Sequence, residues 1–139
     1  MKKNCERAKS FAVTREQHLS EIAEDYVEII SDLLVQKGKA RTCDIAELLG
    51  VSHVTVVRTL ARLTKQGYVE STKEEPIQLT EKGASLAYVS KERHLLLFRY
   101  LIALGVPKEI ATIDTEGMEH HISPETLTAF KRHLELLEQ

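Results

Sequence analysis

The stretch ARTCDIAELLGVSHVTVVRTLARL, Ala40 to Leu63, decides the architecture. Ile45, Leu48 and Leu49 mark a short amphipathic segment, with Thr42 placed as its N-cap and Gly50 as its breaker. After Val51, Ser52 caps a second segment, in which Val56, Leu60 and Leu63 recur at i, i+4 and i+7 and face inward. His53, Thr55, Arg58, Thr59 and Arg62 are then expected to project outward, and no acid interrupts His53 to Leu63. A solvated helix face mixes both charge signs, whereas this one is polar and basic, as a helix lying in a major groove must be.

Upstream, a helical period begins near His18: Leu19, Ile22, Tyr26, Ile29, Ile30 and Leu33 line one face, and Lys37-Gly38-Lys39 ends the helix. Downstream, KQGYVES and PIQLT read as two short strands joined by a turn at Lys73 to Glu75. Helix, helix, tight turn, helix and hairpin is the order of a winged helix-turn-helix. Beyond Gly83 the chain is helical again. Leu86 to Ile102 carry a long apolar helix broken by SKERH, a turn falls at Gly105 to Pro107, and Ser123-Pro124-Glu125 opens a last helix. The expected fold is mainly α: an N-terminal winged helix-turn-helix with a small two-stranded β-wing, followed by an all-helical domain for dimerisation and metal binding. The boundaries read as a polar arm over 1–17, a DNA-binding domain over 18–83 and a helical domain over 84–139. An aliphatic helical half of this size suits a homodimer on a two-fold symmetric site.

The 139 residues, 42% hydrophobic and 29% charged, are enough for a core without staples. No apolar run approaches a membrane span, so a cytoplasmic protein without membrane partners is expected. Cys5 and Cys43 form no CxxC pair and read as small packing or idle thiols. The net charge of −2 hides an asymmetry. Between His53 and Lys73 four cations face Glu70 alone, whereas Glu16 to Asp32 holds six acids and no Lys or Arg.

The densest ligand chemistry lies in DTEGMEHHIS, Asp114 to Ser123. Glu116, Glu119 and His120 stand at i, i+3 and i+4, so one helix face would display all three. Asp25 and Glu28 repeat the i, i+3 spacing in the acidic segment, and His94 sits in a Leu-rich helix. Four carboxylates and two imidazoles without a thiolate suit Mn(II) or Fe(II) better than structural zinc. From spacing alone, these groups could equally be solvated acids and a core histidine; His18, His53, His121 and His133 have no partner spacing and read as surface or packing residues.

EDYVEIISDLL, ARTCDIAELLGVS, LTEKG, ERH and DTEGMEHHIS occur together and in order. In these pieces the chain resembles the manganese transport regulators of the DtxR/MntR family of metal-dependent repressors, from about Ile22 to the last helix. The resemblance implies a binuclear metal site built from Asp25, Glu28, His94, Glu116, Glu119 and His120. It implies two Mn(II) ions per subunit, with Fe(II) as the alternative activator. Iron-responsive relatives carry Met and Cys where this chain has Asp25 and Glu116, so the harder ligands point to manganese. No SH3-like appendage is implied. Metal held jointly by the two lobes would set the spacing of the recognition helices on double-stranded operator DNA. Ser52, His53, Val54, Thr55, Val57 and Arg58 form the expected recognition surface, with Arg62 and Lys65 on phosphates. The turn KEEP departs from the family's basic, Gly-containing wing tip, and Glu74 and Glu75 would repel phosphate. The rival readings are a winged-helix regulator of iron or of an organic ligand, a small metallohydrolase, and a metal buffer. No HExxH, nucleophile elbow or phosphate loop supports an enzyme, and no small organic substrate is expected.

Overall fold

The structure, a computed structural model, describes residues 2–72 and 76–139, the side chains of residues 2, 3 and 19 excepted. The elements run α1 (Lys2–Lys37), α2 (Thr42–Leu49), α3 (His53–Lys65), β1 (Val69–Glu70), β2 (Gln78–Leu79), α4 (Glu81–Ala103), α5 (Lys108–Met118) and α6 (Pro124–Leu137). They divide into two compact units, Ile22–Val89 and the pair Met1–Glu21 with Ser90–Gln139. The first is called here the winged-helix unit and the second the helical unit.

In the winged-helix unit, Ala23, Tyr26, Ile30 and Leu33 of α1 pack with Ile45 of α2 and with Val56, Leu60 and Leu63 of α3. Val69 and Ile77 close this core from the hairpin side. Four of the six positions expected on the α1 face are thus accounted for, Ile29 only in part, while Ile22 stays 41% exposed. The α2–α3 turn depends on Gly50, whose φ of 67° is a left-handed conformation that costs a side-chain-bearing residue energy. Ser52 then caps α3 as expected, its Oγ accepting from the Thr55 amide at 3.2 Å. Thr42 is not the cap of α2. Arg41 occupies that position without a side-chain bond, and Asp44 supplies the first-turn negative charge, 3.5 Å from Lys37 Nζ. Thr59, expected outside, is buried, its hydroxyl donating back to the Thr55 carbonyl at 2.8 Å.

The hairpin is antiparallel, pairing Val69 with Leu79 and Glu70 with Gln78. Both strands are shorter than expected, because Gln66 and Gly67 are spent ending α3: the Tyr68 amide donates to the Leu63 carbonyl at 3.0 Å. The acidic turn at Glu74 and Glu75 lies outside the described residues. Gly83, in the first turn of α4, sits against this hairpin so closely that an added Cβ would meet the Tyr68 carbonyl oxygen at 2.0 Å. Lys82 fastens the same corner, donating to the Gln66 carbonyl at 2.9 Å with its ammonium 4.3 Å from the centre of the Tyr68 ring.

In the helical unit, Leu97 and Tyr100 of α4, Ala111 of α5 and Leu134 of α6 are buried. Tyr100 stacks on Phe130 at 4.6 Å, and its hydroxyl pairs with His133 Nδ1 at 2.8 Å. SKERH does not interrupt α4. It contains no breaker; Ser90 is buried while Lys91 and Glu92 face solvent. Nor does a helix begin near His18: α1 starts at Lys2, since no Gly or Pro occurs before Gly38. Ser123 and Pro124 open α6 as expected, the serine accepting from the Thr126 amide at 3.2 Å. Cys5 and Cys43 are both exposed rather than packed. Among the described residues no helix is long and apolar enough to cross a membrane.

Because the obstacle at Gly83 is backbone, it cannot rotate away. Gly83→Ala is expected to destabilise the protein by about 2 kcal/mol or more, as overpacking does. Thermal unfolding followed by circular dichroism checks this; an unchanged midpoint would contradict the close approach.

Candidate metal centre

In the helical unit, α5 ends at Met118 and the chain turns at once. Glu119 and His120 therefore lie just past the helix and not on its face, although the Glu119 amide still donates to the Thr115 carbonyl at 3.0 Å. The turn is held from α4 by Arg93, whose Nη1 donates to the Glu119 carbonyl at 2.9 Å. Sequence reasoning gave Arg93 no role; its only signal was its place in ERH, beside His94.

Glu119 is the centre of the arrangement. Its side chain is 2% exposed, a severe place for a carboxylate unless charge or hydrogen bonds answer it. His94 Nδ1 lies 2.7 Å from its Oε2, and His120 Nε2 lies 3.1 Å from its Oε1. The second contact lacks hydrogen-bond geometry, so Oε1 is buried without a directed partner, as is Thr115 Oγ1. Burial pushes the Glu119 carboxyl up, but the polar contacts to His120 and His94 and the charge of both rings outweigh it. The group is thus held below the ordinary carboxylate value. Glu116, on the last turn of α5 and 60% exposed, approaches His94 Nδ1 at 3.6 Å through Oε1.

Glu116, Glu119 and His120 each present a donor atom within 4.8 Å of the others. With His94 the set holds two imidazoles and two carboxylates, which fits a hard-to-borderline divalent cation such as Mn(II) or Fe(II). The undirected Oε1 of Glu119 fits the same reading, since a buried oxygen with no directed hydrogen bond has capacity left for a cation. Asp25 and Glu28, the remaining expected ligands, are half-buried on the part of α1 that belongs to the winged-helix unit.

On α3, His53, Val54, Thr55, Val57, Arg58, Arg62 and Lys65 are all exposed, Val54 by 60% and Val57 by 49%. Ser52 is exposed too, but its Oγ is engaged with the Thr55 amide and, at 2.9 Å, with Thr55 Oγ1. The face therefore offers an imidazole, two methyl-bearing valines and three cations, the mixture that base edges and phosphates require.

Comparison with known proteins agrees with both halves. Residues 18–76 match the iron dependent repressor N-terminal DNA binding domain, and residues 80–139 match the iron dependent repressor metal binding and dimerisation domain. The transcriptional regulator MntR of Salmonella typhimurium (strain LT2) is 46% identical over 125 residues, 90% of this chain and 80% of that protein. The HTH-type transcriptional regulator MntR of Lysinibacillus sphaericus (strain C3-41) is 36% identical over 116 residues, 84% of each. A solved manganese-dependent transcriptional repressor in complex with manganese superposes with a TM-score of 0.73 at 28% identity, covering 81% of this chain. This chain spans about half, 52%, of the length of that structure.

Two outcomes test the geometry. In metal-free protein, the lowered Glu119 carboxyl contributes stability that is fully present above the ordinary carboxylate value and is lost as pH falls through the lower folded value. Glu119→Gln should flatten that acid limb in denaturant titrations run from neutral pH downward; an unchanged limb would assign the acid sensitivity elsewhere. Arg93→Ala, which frees the turn but removes no ligand, should weaken Mn(II) binding about 10-fold by isothermal titration, the usual effect of losing a group that orients ligands.

Proposed function

The chain belongs to the iron-dependent repressor family, and from that premise we propose that it is a homodimeric, Mn(II)-activated repressor of genes for manganese uptake. It is a DNA-binding transcriptional regulator and not an enzyme. The observation that carries the metal assignment is the donor set around Glu119, in which a carboxylate, Glu116, completes a group of imidazoles and carboxylates with no sulfur. Thiolate and thioether ligands would favour softer ions, and the oxygen-rich set favours manganese over the iron alternative. A regulator of an organic ligand would give no reason to bury Glu119 between two imidazoles.

We assign Asp25 and Glu28 to the same ligand set, as the family resemblance implies, with two Mn(II) ions per subunit. A bound divalent cation supplies positive charge that neutralises the carboxylates. The protein's own residues do the rest. Glu119 and His120, fixed by Arg93, hold their donors in place, while Glu116 is exposed and approaches His94. Asp25 lies on the helix that forms one wall of the DNA-binding core, alongside Tyr26. Ligation at Asp25 therefore acts on the scaffold that carries α3. Without it, DNA binding has to order that scaffold itself, and the affinity difference is the coupling between metal and operator. His53, Val54, Thr55, Val57 and Arg58 read bases, Ser52 secures the start of the helix, and Arg62 and Lys65 meet phosphates. The protein acts on cytoplasmic promoter DNA.

Fluorescence anisotropy on labelled promoter fragments tests the assignment. Mn(II) is expected to tighten binding at least 10-fold and EDTA to reverse it, with Glu116→Ala and Asp25→Ala both abolishing the response while folding normally. Tight binding indifferent to EDTA, or a full response from either variant, would overturn the metal switch.

A further inference from the structure

A second group of donor side chains lies in the helical unit, apart from Glu116, Glu119, His94 and His120. His18 and Glu21 are one helical turn apart on α1, and His18 Nδ1 lies 3.1 Å from Glu21 Oε2. From a different segment, the turn after α5, His121 Nε2 approaches the same oxygen at 3.7 Å. Glu21 and His121 are half-buried, 26% and 32% exposed at the side chain, and His18 is 76% exposed. One carboxylate thus receives two imidazoles from segments far apart in sequence.

We propose that His18, Glu21 and His121 form a separate cation site, of two imidazoles and one carboxylate, for a borderline divalent ion of the zinc class. Ligands held at about 2.0–2.1 Å around one ion lie roughly 3.0–3.4 Å from each other. The His18–Glu21 edge at 3.1 Å already falls in that range, and the His121–Glu21 edge at 3.7 Å needs a shift of a few tenths of an ångström. The three donor atoms do not all lie within 4.8 Å of one another, so the exposed His18 has to move to close the third edge when the ion is bound. An imidazole that binds through Nδ1 carries its hydrogen on Nε2.

Nitrogen-rich coordination distinguishes this site from the oxygen-rich one. Two nitrogens and one oxygen, with positions open to water, follow the order of divalent affinities in which zinc stands far above manganese. Ligation there ties the N-terminal part of α1 to the turn that begins with Glu119 and His120. The exposed helix start, which carries Arg15 three residues before His18, becomes fastened to the rest of the unit.

The test uses the full chain and zinc alone, with total bound metal measured by atomic emission after equilibrium dialysis. His18→Ala and His121→Asn are each expected to bind one zinc equivalent per chain fewer than the wild type. Glu119→Gln, which disables the other centre, should keep that equivalent. In the Glu119→Gln background the ring-proton resonances of His18 and His121 should shift together on addition of one equivalent of zinc. Trypsin cleavage after Arg15 should slow in the same titration, and His18→Ala should abolish both effects. Since His18 is exposed, its replacement leaves the core intact, and normal unfolding of the variant verifies this. Equal zinc stoichiometry in wild type and His18→Ala, or resonances of His18 and His121 that stay still, would overturn the proposal. Failure of Mn(II) to activate DNA binding would instead refute the regulatory reading and leave this site standing.

Discussion

A carboxylate that is almost completely shielded from water is the constraint around which the metal centre is organised. Glu119 answers its burial with His94, His120 and the Arg93 anchor on its own carbonyl. All three partners can carry positive charge, which is what a buried carboxylate requires. One carboxylate oxygen is taken by His94, and the other faces His120 without a directed bond. The charge as a whole is stabilised by its neighbours, yet the oxygen without a directed bond has capacity left for a further positive partner. It makes a good receptor for a cation, which supplies that partner. The ordinary structural alternative, an apolar side chain at this position, would hold the turn as well and bind nothing.

The DNA-binding face follows a different logic. There the constraint is apolar: Val56, Leu60 and Leu63 fix α3 on the core, and everything pointing the other way is released for contact. Thr59 shows how narrow the outward face is, since a position adjacent to Arg58 is already turned into the unit. Ser52 and Thr55 spend hydroxyl capacity on each other and on the helix start, so selective contact falls more heavily on His53, Val54, Val57 and Arg58. Exposed valines are costly on a free surface, and in a major groove they meet thymine methyl groups.

The fold was legible where one local rule dominated. Apolar spacing with Ser52 and Gly50 located α3 and its turn, and Ser123-Pro124 located α6, because caps and breakers act within a few residues. The failures arose where distant packing decides. Polar composition before His18 suggested an arm, but composition does not stop a helix that lacks Gly and Pro. SKERH looked like an interruption because its charges hide the fact that Ser90, Arg93 and His94 turn inward. The metal group was visible as a cluster of residue types at i, i+3 and i+4, and the structure does bring Glu116, Glu119 and His120 together, although α5 ends at Met118. Glu119 and His120 come together after the helix has ended, through a turn that Arg93 holds from α4. His18 does stand at i, i+3 from Glu21, but His121 lies a hundred residues from that carboxylate in sequence, a pairing no local spacing reveals.

Selectivity for manganese cannot rest on affinity, because any set of imidazole and carboxylate donors binds zinc and copper more tightly than manganese. It has to rest on what the ligands do once an ion is held. Zinc is satisfied by four tetrahedral donors, and His94, Glu116, Glu119 and His120 already amount to four within one unit. Manganese, which takes more oxygen ligands, has reason to recruit further carboxylates, and Asp25 and Glu28 are the ones assigned to it. An ion that takes more ligands than the helical unit offers would have reason to recruit them. Glu116, an exposed carboxylate 3.6 Å from His94, adds oxygen to the set where a thiolate would have favoured a softer ion.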